Sequence, residues 1–418
     1  MKVCVIGLGY VGLPTALLAA RNHEVVGVDV DESKVDALDR GEPPLEEPAL
    51  VDLFHEVEGR FEARTDVVPA DAFVIVTPTP LDADTEVADL AAVRAAAEAV
   101  EPVLTRDDLV VVESTVPPGT TERLVGRILE RSGLERGAFS LAHCPERAIP
   151  GDTLNEMVGN ARLLGAIDDR SAERAADLYS FVEGDLHRTT PRGAEFVKLM
   201  ENTYRDVNIA LANEFAKIAE ELGVDVHRSV DLANEHPRVD VHRPGPGVGG
   251  HCITIDPQFL AQSSTHDRLI SQARAINDSM AKHVLGLVQG AVGEVPDRDP
   301  RVTLLGVAYK GDVGDTRETP ARPIARLARN VGFDVRAYDP HVESDADLPV
   351  ELDSLETATA GSDCLVVVTD HSAFANLDSE SLATRMRSPT VVDARAVVDR
   401  SRWEAAGFEV VVLGDGSN

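Results

Sequence analysis

The chain has 418 residues, 43% of them apolar and 27% charged, with a mean hydropathy of -0.10; this composition fits a soluble globular protein of two or three domains and excludes disordered and membrane-spanning classes. Seventy-two acidic residues against 40 basic ones give a formal net charge of -32, a field that repels nucleic-acid phosphates and anionic lipid, so neither nucleic acid nor membrane is an expected partner. Cys4, Cys144, Cys252 and Cys364 are widely spaced and form no CxxC pair, which argues for a reducing, cytoplasmic setting and against a disulfide framework or a metal site.

Only six of the basic residues are lysines: Lys2, Lys34, Lys198, Lys217, Lys282 and Lys310. An acid-rich, lysine-poor composition suggests adaptation to high salt, where ions screen the self-repulsion of the folded state. Residues 1–20 imitate a secretion signal, with Lys2 ahead of an apolar run that ends in Ala19-Ala20. Gly7, Gly9 and Gly12 interrupt that run, and no stretch reaches the roughly 18–20 apolar residues of a membrane span.

In chain order, apolar β-branched runs at 3–7, 24–30, 72–77, 109–115 and 140–144 alternate with alanine-rich helical segments, the pattern of a parallel sheet covered by helices on both faces. This first doubly wound, Rossmann-like domain extends over 1–191. Phe196, Met200, Val207, Leu211, Phe215, Ile218 and Leu222 then recur at helical spacing until Gly223, and a second helix spans 268–292, so residues 192–295 read as a central all-helical domain. Residues 296–300 read as a linker. Strands return at 301–307, 334–338, 364–369, 390–392 and 409–413, giving a second Rossmann-like domain over 301–414 without a glycine fingerprint; residues 414–418 are expected to be disordered. The fold class is α/β.

Gly7-Leu8-Gly9-Tyr10-Val11-Gly12 follows the first strand and opens a helix, so its amides and the helix dipole can meet a pyrophosphate. Asp29 ends the second strand, where a carboxylate accepts ribose hydroxyls and repels a 2′-phosphate, favouring NAD over NADP. Thr77 and Thr115 follow strands at the carboxyl edge of the sheet, either as ligand contacts or simply as strand terminators. In Pro244-Gly245-Pro246-Gly247-Val248-Gly249-Gly250-His251-Cys252, glycines crowd one cysteine. A segment so flexible has little packing value, so its use is close backbone approach to a ligand; Cys252 is the expected nucleophile. Lys198, Asn202 and Arg205 form a polar stripe on the long helix, Glu146 lies just beyond the last strand of the first domain, and Asp256 follows Cys252 by four residues. A thiol, a lysine and two carboxylates with an NAD site suggest oxidation of an alcohol through an aldehyde to an acid.

These residues resemble the UDP-glucose/GDP-mannose dehydrogenase superfamily over nearly the whole chain. The segments 144–147, 201–210, 233–239 and 249–253 are most similar to its UDP-N-acetyl-D-mannosamine branch, whereas the UDP-glucose branch usually has Ser-Cys-Phe where this chain has His251-Cys252-Ile253. The resemblance implies a four-electron, NAD-dependent oxidation at C6. Cys252 would form the thiohemiacetal and thioester, Lys198 and Asn202 would hold oxyanions or a catalytic water, Glu146 would be the base for hydrolysis, and Asp256 would assist proton transfer. It also implies that Tyr309 and Lys310 meet substrate, that Arg317 reaches the cofactor, and that Arg147, Arg205, His242, Arg243, Gly249 and Arg395 line the substrate; at Arg395 the preceding Ala394 departs from the family's usual glycine. The central helices would form a homodimer or a larger oligomer. UDP-N-acetylglucosamine and UDP-glucose remain alternative sugars; a two-electron hydroxy-acid dehydrogenase and a non-catalytic nucleotide-sugar sensor are the other classes.

Overall fold

The computed structural model describes every residue except 45–46, 83–84, 86, 150, 294, 296–297 and 417–418. Two compact units emerge: Met1–Glu201 with Phe259–Thr265, and Asn202–Gln258 with His266–Asn418. The residues of the expected central helical domain are divided between them, with the boundary inside the long helix.

The first unit is built on an eight-stranded sheet: β1 (Lys2–Ile6), β2 (Glu24–Val28), β3 (Phe61–Arg64), β4 (Ala72–Ile75), β5 (Leu109–Val112), β6 (Ser140–His143), β7 (Arg162–Ala166) and β8 (Leu186–Thr189). Their order is β3-β2-β1-β4-β5-β6-β7-β8, and all neighbours are parallel except β6 and β7, which pair Ala142 with Ala166 and His143 with Gly165. The sheet reverses direction of growth at β1, between β2 and β4, so the loops after β1 and β4 open the crevice in which such sheets bind ligands. Val3, Val5, Val74 and Val111 pack under Leu13 and Leu17 on one face, while Cys4, Phe73 and Val110 pack under Val93 and Ile128 on the other. That two-sided burial explains the unbroken apolar runs of the inner strands.

The second unit carries a five-stranded parallel sheet of β9 (Arg301–Leu305), β10 (Asp334–Tyr338), β11 (Cys364–Val367), β12 (Thr390–Asp393) and β13 (Glu409–Val412), in the order β10-β9-β11-β12-β13. One face holds Leu304, Val366 and Val392 against Ile324 and the helix Arg268–Val292 through Met280 and Val284; the other holds Leu305, Leu365 and Val391 against Phe374 and Trp403.

The long helix runs from Pro191 to Leu222 and inverts the usual disposition of such elements. Its polar residues Glu195, Lys198, Asn202, Asp206 and Asn213 are buried, while Phe196, Met200, Tyr204, Leu211, Phe215, Ile218 and Leu222 are exposed. Of the expected linker, Pro296 and Asp297 lie outside the described residues, and Arg298 is tied to Asp363 by two contacts of 2.5 and 2.6 Å. The expected disorder after 414 is corrected for Gly414 to Gly416: the Gly414 amide donates to Glu220 Oε1 at 2.8 Å, its carbonyl accepts from Val226 N–H, and Asp415 pairs with Arg400. Ser417 and Asn418 lie outside the described residues.

Candidate active site

The glycine turn divides its labour among three positions. Gly7 has φ +98° and donates its N–H to Val28 O at 2.7 Å; a Cβ there would sit 2.4 Å from Val76 O, and a Cβ at Gly12 would sit 1.8 Å from Gly7 O. Both glycines therefore serve the close packing of strand, turn and helix. Among the described residues a Cβ at Gly9 would meet nothing within 4 Å, so this backbone has room at the start of the helix Gly12–Ala20, whose N-cap Val11 supplies no side-chain acceptor to the first turn. Such a turn leaves room for a pyrophosphate against amides and the positive helix end. Asp29, just past β2, accepts Leu8 N–H and the Lys34 ammonium on Oδ2, both at 2.8 Å. Burial pushes this carboxyl up, but Lys34 and the amides of Asp31 and Leu8 outweigh it and hold the group below its ordinary range. Just past β4, Thr77 Oγ1 is buried without a hydrogen-bond partner among the described residues, while its carbonyl accepts from Ser114 and the Thr115 carbonyl accepts from Thr79. An open amide turn, a ribose-length carboxylate and an orphaned hydroxyl fit a bound dinucleotide. Tyr10 makes hydrogen bonds to Thr153 and Glu47 at 2.6 and 3.0 Å, and burial pushes its phenol up, keeping it neutral.

The base expected after β6 is buried with its lysine. Lys198 Nζ donates to Glu146 O at 2.8 Å and to Oε1 at 3.2 Å, and Ala148 N–H donates to Oε2 at 2.5 Å. Arg147, expected to meet substrate, is held by Glu201 through two bonds and by Ala161 O at 2.7 Å, so its charge is neutralised within the chain. Beneath this loop is a cluster that the sequence pattern did not reveal: Glu113 accepts from Arg162, Tyr179 and Thr15, and Arg162 also donates to Cys144 O. Its members come from four elements tens of residues apart, so no spacing marks them.

In the second unit Cys252 is exposed, whereas the other three thiols are buried; burial pushes Cys144 and Cys364 up to about 12 and raises Cys4 as well. The cysteine loop is held by internal contacts, which corrects the expectation that its glycines lack packing value. A Cβ at Gly249 would lie 2.6 Å from Tyr309 Cβ and 2.8 Å from Glu318 O, and one at Gly250, whose φ is +85°, would strike the Tyr309 ring. Gly250 N–H donates to Arg317 O at 2.9 Å, and the Cys252 carbonyl accepts from Asp256 N–H at 2.9 Å. Asp256 Oδ2 in turn accepts Asn202 Nδ2 at 2.5 Å, so two expected catalytic residues are joined in a buried bond. Tyr309 is pushed up to about 12, by burial first and then by Asp315 and the thiolate charge of Cys252. Arg317 is raised by its bonds to Asp315 and, more weakly, by Cys252. The Gly250 approach to the Tyr309 ring and its bond to the Arg317 carbonyl set both residues against the cysteine loop.

The remaining expected substrate residues are dispersed over the second unit. Lys310 is half-buried and Arg205 exposed; Arg243 is bound to Asp231 and to His227 O at 3.1 Å, with His242 half-buried beside it. Arg395 donates Nε to Val368 O at 3.0 Å and lies against Gly245, where a Cβ would approach its guanidinium to 3.0 Å. Asp312, His341 and His371 bring three potential metal ligands within 4.8 Å, but His371 Nδ1 accepts Asp312 N–H at 2.9 Å, so this lone pair serves the loop itself.

Residues 1–183, 192–279 and 303–400 match, in turn, the NAD binding, central and UDP binding domains of the UDP-glucose/GDP-mannose dehydrogenase family. The chain is 42% identical to a UDP-N-acetyl-D-mannosamine dehydrogenase of Methanococcus maripaludis, covering 100% of this chain and 97% of that protein. It is 41% identical to an NDP-N-acetyl-D-galactosaminuronic acid dehydrogenase of Ralstonia solanacearum, over 96% and 97% of the two chains. The solved structure of the UDP-D-ManNAc dehydrogenase from Pyrococcus horikoshii superposes over 100% of both chains with a TM-score of 0.93 at 39% identity. With all three domains matched in order, the chain belongs to the UDP-glucose/GDP-mannose dehydrogenase family.

Proposed function

We propose that this chain oxidises the C6 alcohol of UDP-N-acetyl-D-mannosamine to the uronate in two hydride transfers, with the sugar covalently held by Cys252 between them. The observation that carries this reading is that the one exposed thiol of four sits in the glycine loop, against which Tyr309 and Arg317 pack. NAD, when bound at the glycine turn, would supply the hydride acceptor, one molecule for each of the two transfers. As the first hydride leaves, the C6 hydroxyl gives its proton to water, which yields the aldehyde. The Cys252 thiolate then adds to the carbonyl carbon, and the new oxyanion is stabilised by the Lys198 ammonium and the Asn202 amide. Loss of the second hydride from this thiohemiacetal leaves a thioester. Glu146 takes a proton from the water that attacks it, and collapse of the tetrahedral centre breaks the C–S bond and releases Cys252 as the thiolate, whose later proton exchange Asp256 assists. The intermediate stays attached, so no free aldehyde is released.

The choice of sugar follows the names of the relatives: that from Methanococcus maripaludis, covered almost end to end, is named for UDP-N-acetyl-D-mannosamine. The diphosphate requires local cations in a chain of charge -32, a need met by Lys310, Arg205 and Arg395. The exposed row Phe196, Met200, Leu211, Phe215 and Ile218 favours a homodimer through the long helix, since one face of exposed apolar side chains is buried by association. We also infer a reducing cytoplasmic setting, in keeping with a working thiol.

The deciding experiment is a high-salt assay counting NADH per sugar with UDP-N-acetylmannosamine, UDP-N-acetylglucosamine, UDP-N-acetylgalactosamine and UDP-glucose. Two NADH with the mannosamine sugar alone is the expected result. Two with another sugar would keep the chemistry and replace the substrate; one NADH would remove the thioester route.

A further inference from the structure

The cysteine loop rests on a buried polar network that none of the roles above uses. Asp206 and Asn213 project from the long helix, and Arg274 and Asn277 from the helix Arg268–Val292; Asp206, Asn213 and Asn277 are 0–1% exposed. Asp206 Oδ1 accepts Arg274 Nη1 at 2.6 Å and Asn277 Nδ2 at 2.8 Å. Asn277 Oδ1 accepts Asn213 Nδ2 at 2.9 Å, and Asn213 Oδ1 accepts the N–H of Gly245 at 2.9 Å. At the far end of the loop, Arg274 Nη1 reaches Ile253 O at 3.5 Å, next to the nucleophile. Between these ends Gly247, at φ +128°, crosses the Asn277 carbonyl so closely that a Cβ would lie 3.3 Å from it.

We propose that Asp206, Arg274, Asn277 and Asn213 are positioning residues that grip both ends of the cysteine loop and so set the place of Cys252 relative to the helix bearing Asn202. The inference rests on Cys252 as nucleophile, but the grip itself is a property of the loop. Burying two amides, a carboxylate and a guanidinium is costly unless each is bonded, and here the bonds converge on a loop whose four glycines and two prolines give it no regular ladder of its own. The groups facing Asp206 are Arg274, Asn277 and Asp278; Arg274 also binds Asp278 at 2.7 Å.

The carboxylate at the centre is poised to titrate. Asp206 Oδ2 is buried without a partner among the described residues, and burial, opposed by Arg274 and Asn277, pushes the group up to about 6. Because this value is raised above that of the unfolded chain, protonation below pH 6 favours the fold while removing the anion that holds Arg274. Activity and stability attributable to Asp206 therefore move in opposite directions between about pH 4 and 6, which a purely structural ion pair would not do.

The test compares the full-length protein with Asp206→Asn and Asn213→Ala. In Asp206→Asn, kcat is expected to fall about tenfold or more with KM for NAD unchanged, as a small misplacement of a reacting group requires, and the acid limb near pH 6 should vanish while the melting temperature holds. In Asn213→Ala, hydrogen exchange at the Gly245 amide should quicken about tenfold, and alkylation of Cys252 by iodoacetamide should change rate. Exchange and alkylation need no substrate, so they report on the grip even if the assigned sugar or chemistry is wrong. Wild-type exchange at 245–253 together with a wild-type pH profile would overturn the proposal; so would an equal loss of melting temperature and activity in both variants with the acid limb retained.

Discussion

Gly7 follows β1 at φ +98° and donates its N–H to the end of β2 at Val28; Gly306 follows β9 at φ +90° and donates its N–H to the end of β10 at Tyr338. Each second strand is followed by an aspartate that accepts the next amides of its turn, Leu8 for Asp29 and Val307 with Ala308 for Asp339. From there the two sheets diverge. The first helix begins at Gly12, the second not until Ala321. Asp29 retains a partly exposed carboxylate, whereas that of Asp339 is fully enclosed and also accepts His371 Nε2 at 3.0 Å. One strand-turn-aspartate arrangement thus leaves room for a ligand where a helix start opens beside it, and acts as an internal brace where a long segment intervenes. That segment brings Tyr309 and Arg317 to the cysteine loop.

The largest way to test this division is to remove the thiol: Cys252→Ser should lower uronate formation by about a thousandfold or more, as loss of a nucleophile does, while NAD and UDP still bind by calorimetry. Glycine exchanges should then separate the two sheets. Gly7→Ala places a Cβ 2.4 Å from Val76 O and should abolish NAD binding while UDP binding persists; Gly306→Ala places one 2.4 Å from Thr369 Cβ and should do the reverse. Equal loss of both ligands in either variant would break the comparison. The two aspartates should differ in kind: Asp29→Ala is expected to weaken NAD about tenfold with an unchanged melting curve, and Asp339→Ala to cost about 3 kcal/mol of stability by leaving buried donors unpaired. Although burial pushes Asp339 up, His371 and the surrounding amides hold it below the ordinary range. Its contribution is therefore complete at neutral pH and lost as pH falls through that lowered value, so thermal melts of wild type should weaken below about pH 4 in a manner absent from Asp339→Asn. Smallest and most general, both units should melt at higher temperature as salt rises, because the net charge of -32 is screened.

Apart from β7, the inner strands of both sheets were legible because β-branched runs buried on two faces carry few polar interruptions. β3, β7 and β8 were not: Phe61-Glu62-Ala63-Arg64 and Leu186-His187-Arg188-Thr189 are polar edge strands, and β7 opens with Arg162, whose burial depends on Glu113 far away in sequence. Spacing placed Lys198 and Asn202 on one stripe, but that stripe continues through Asp206 and Asn213, not Arg205, and faces inward. A polar line at helical period beside an apolar one does not say which side meets solvent; only the Arg274 and Asn277 partners, some 70 residues on, decide it.

The contact of Gly249 and Gly250 with Tyr309 also bears on how such a loop can drift in sequence. At 249 a side chain would meet Tyr309 Cβ and Glu318 O, atoms that almost every residue at those positions retains, so no single compensating change opens this site. At 250 the obstruction is the ring, which a smaller residue at 309 removes, leaving only the left-handed backbone that asparagine tolerates. Two adjacent glycines thus differ in mutational freedom: one is locked outright, and the other is unlocked by a prior substitution sixty residues away.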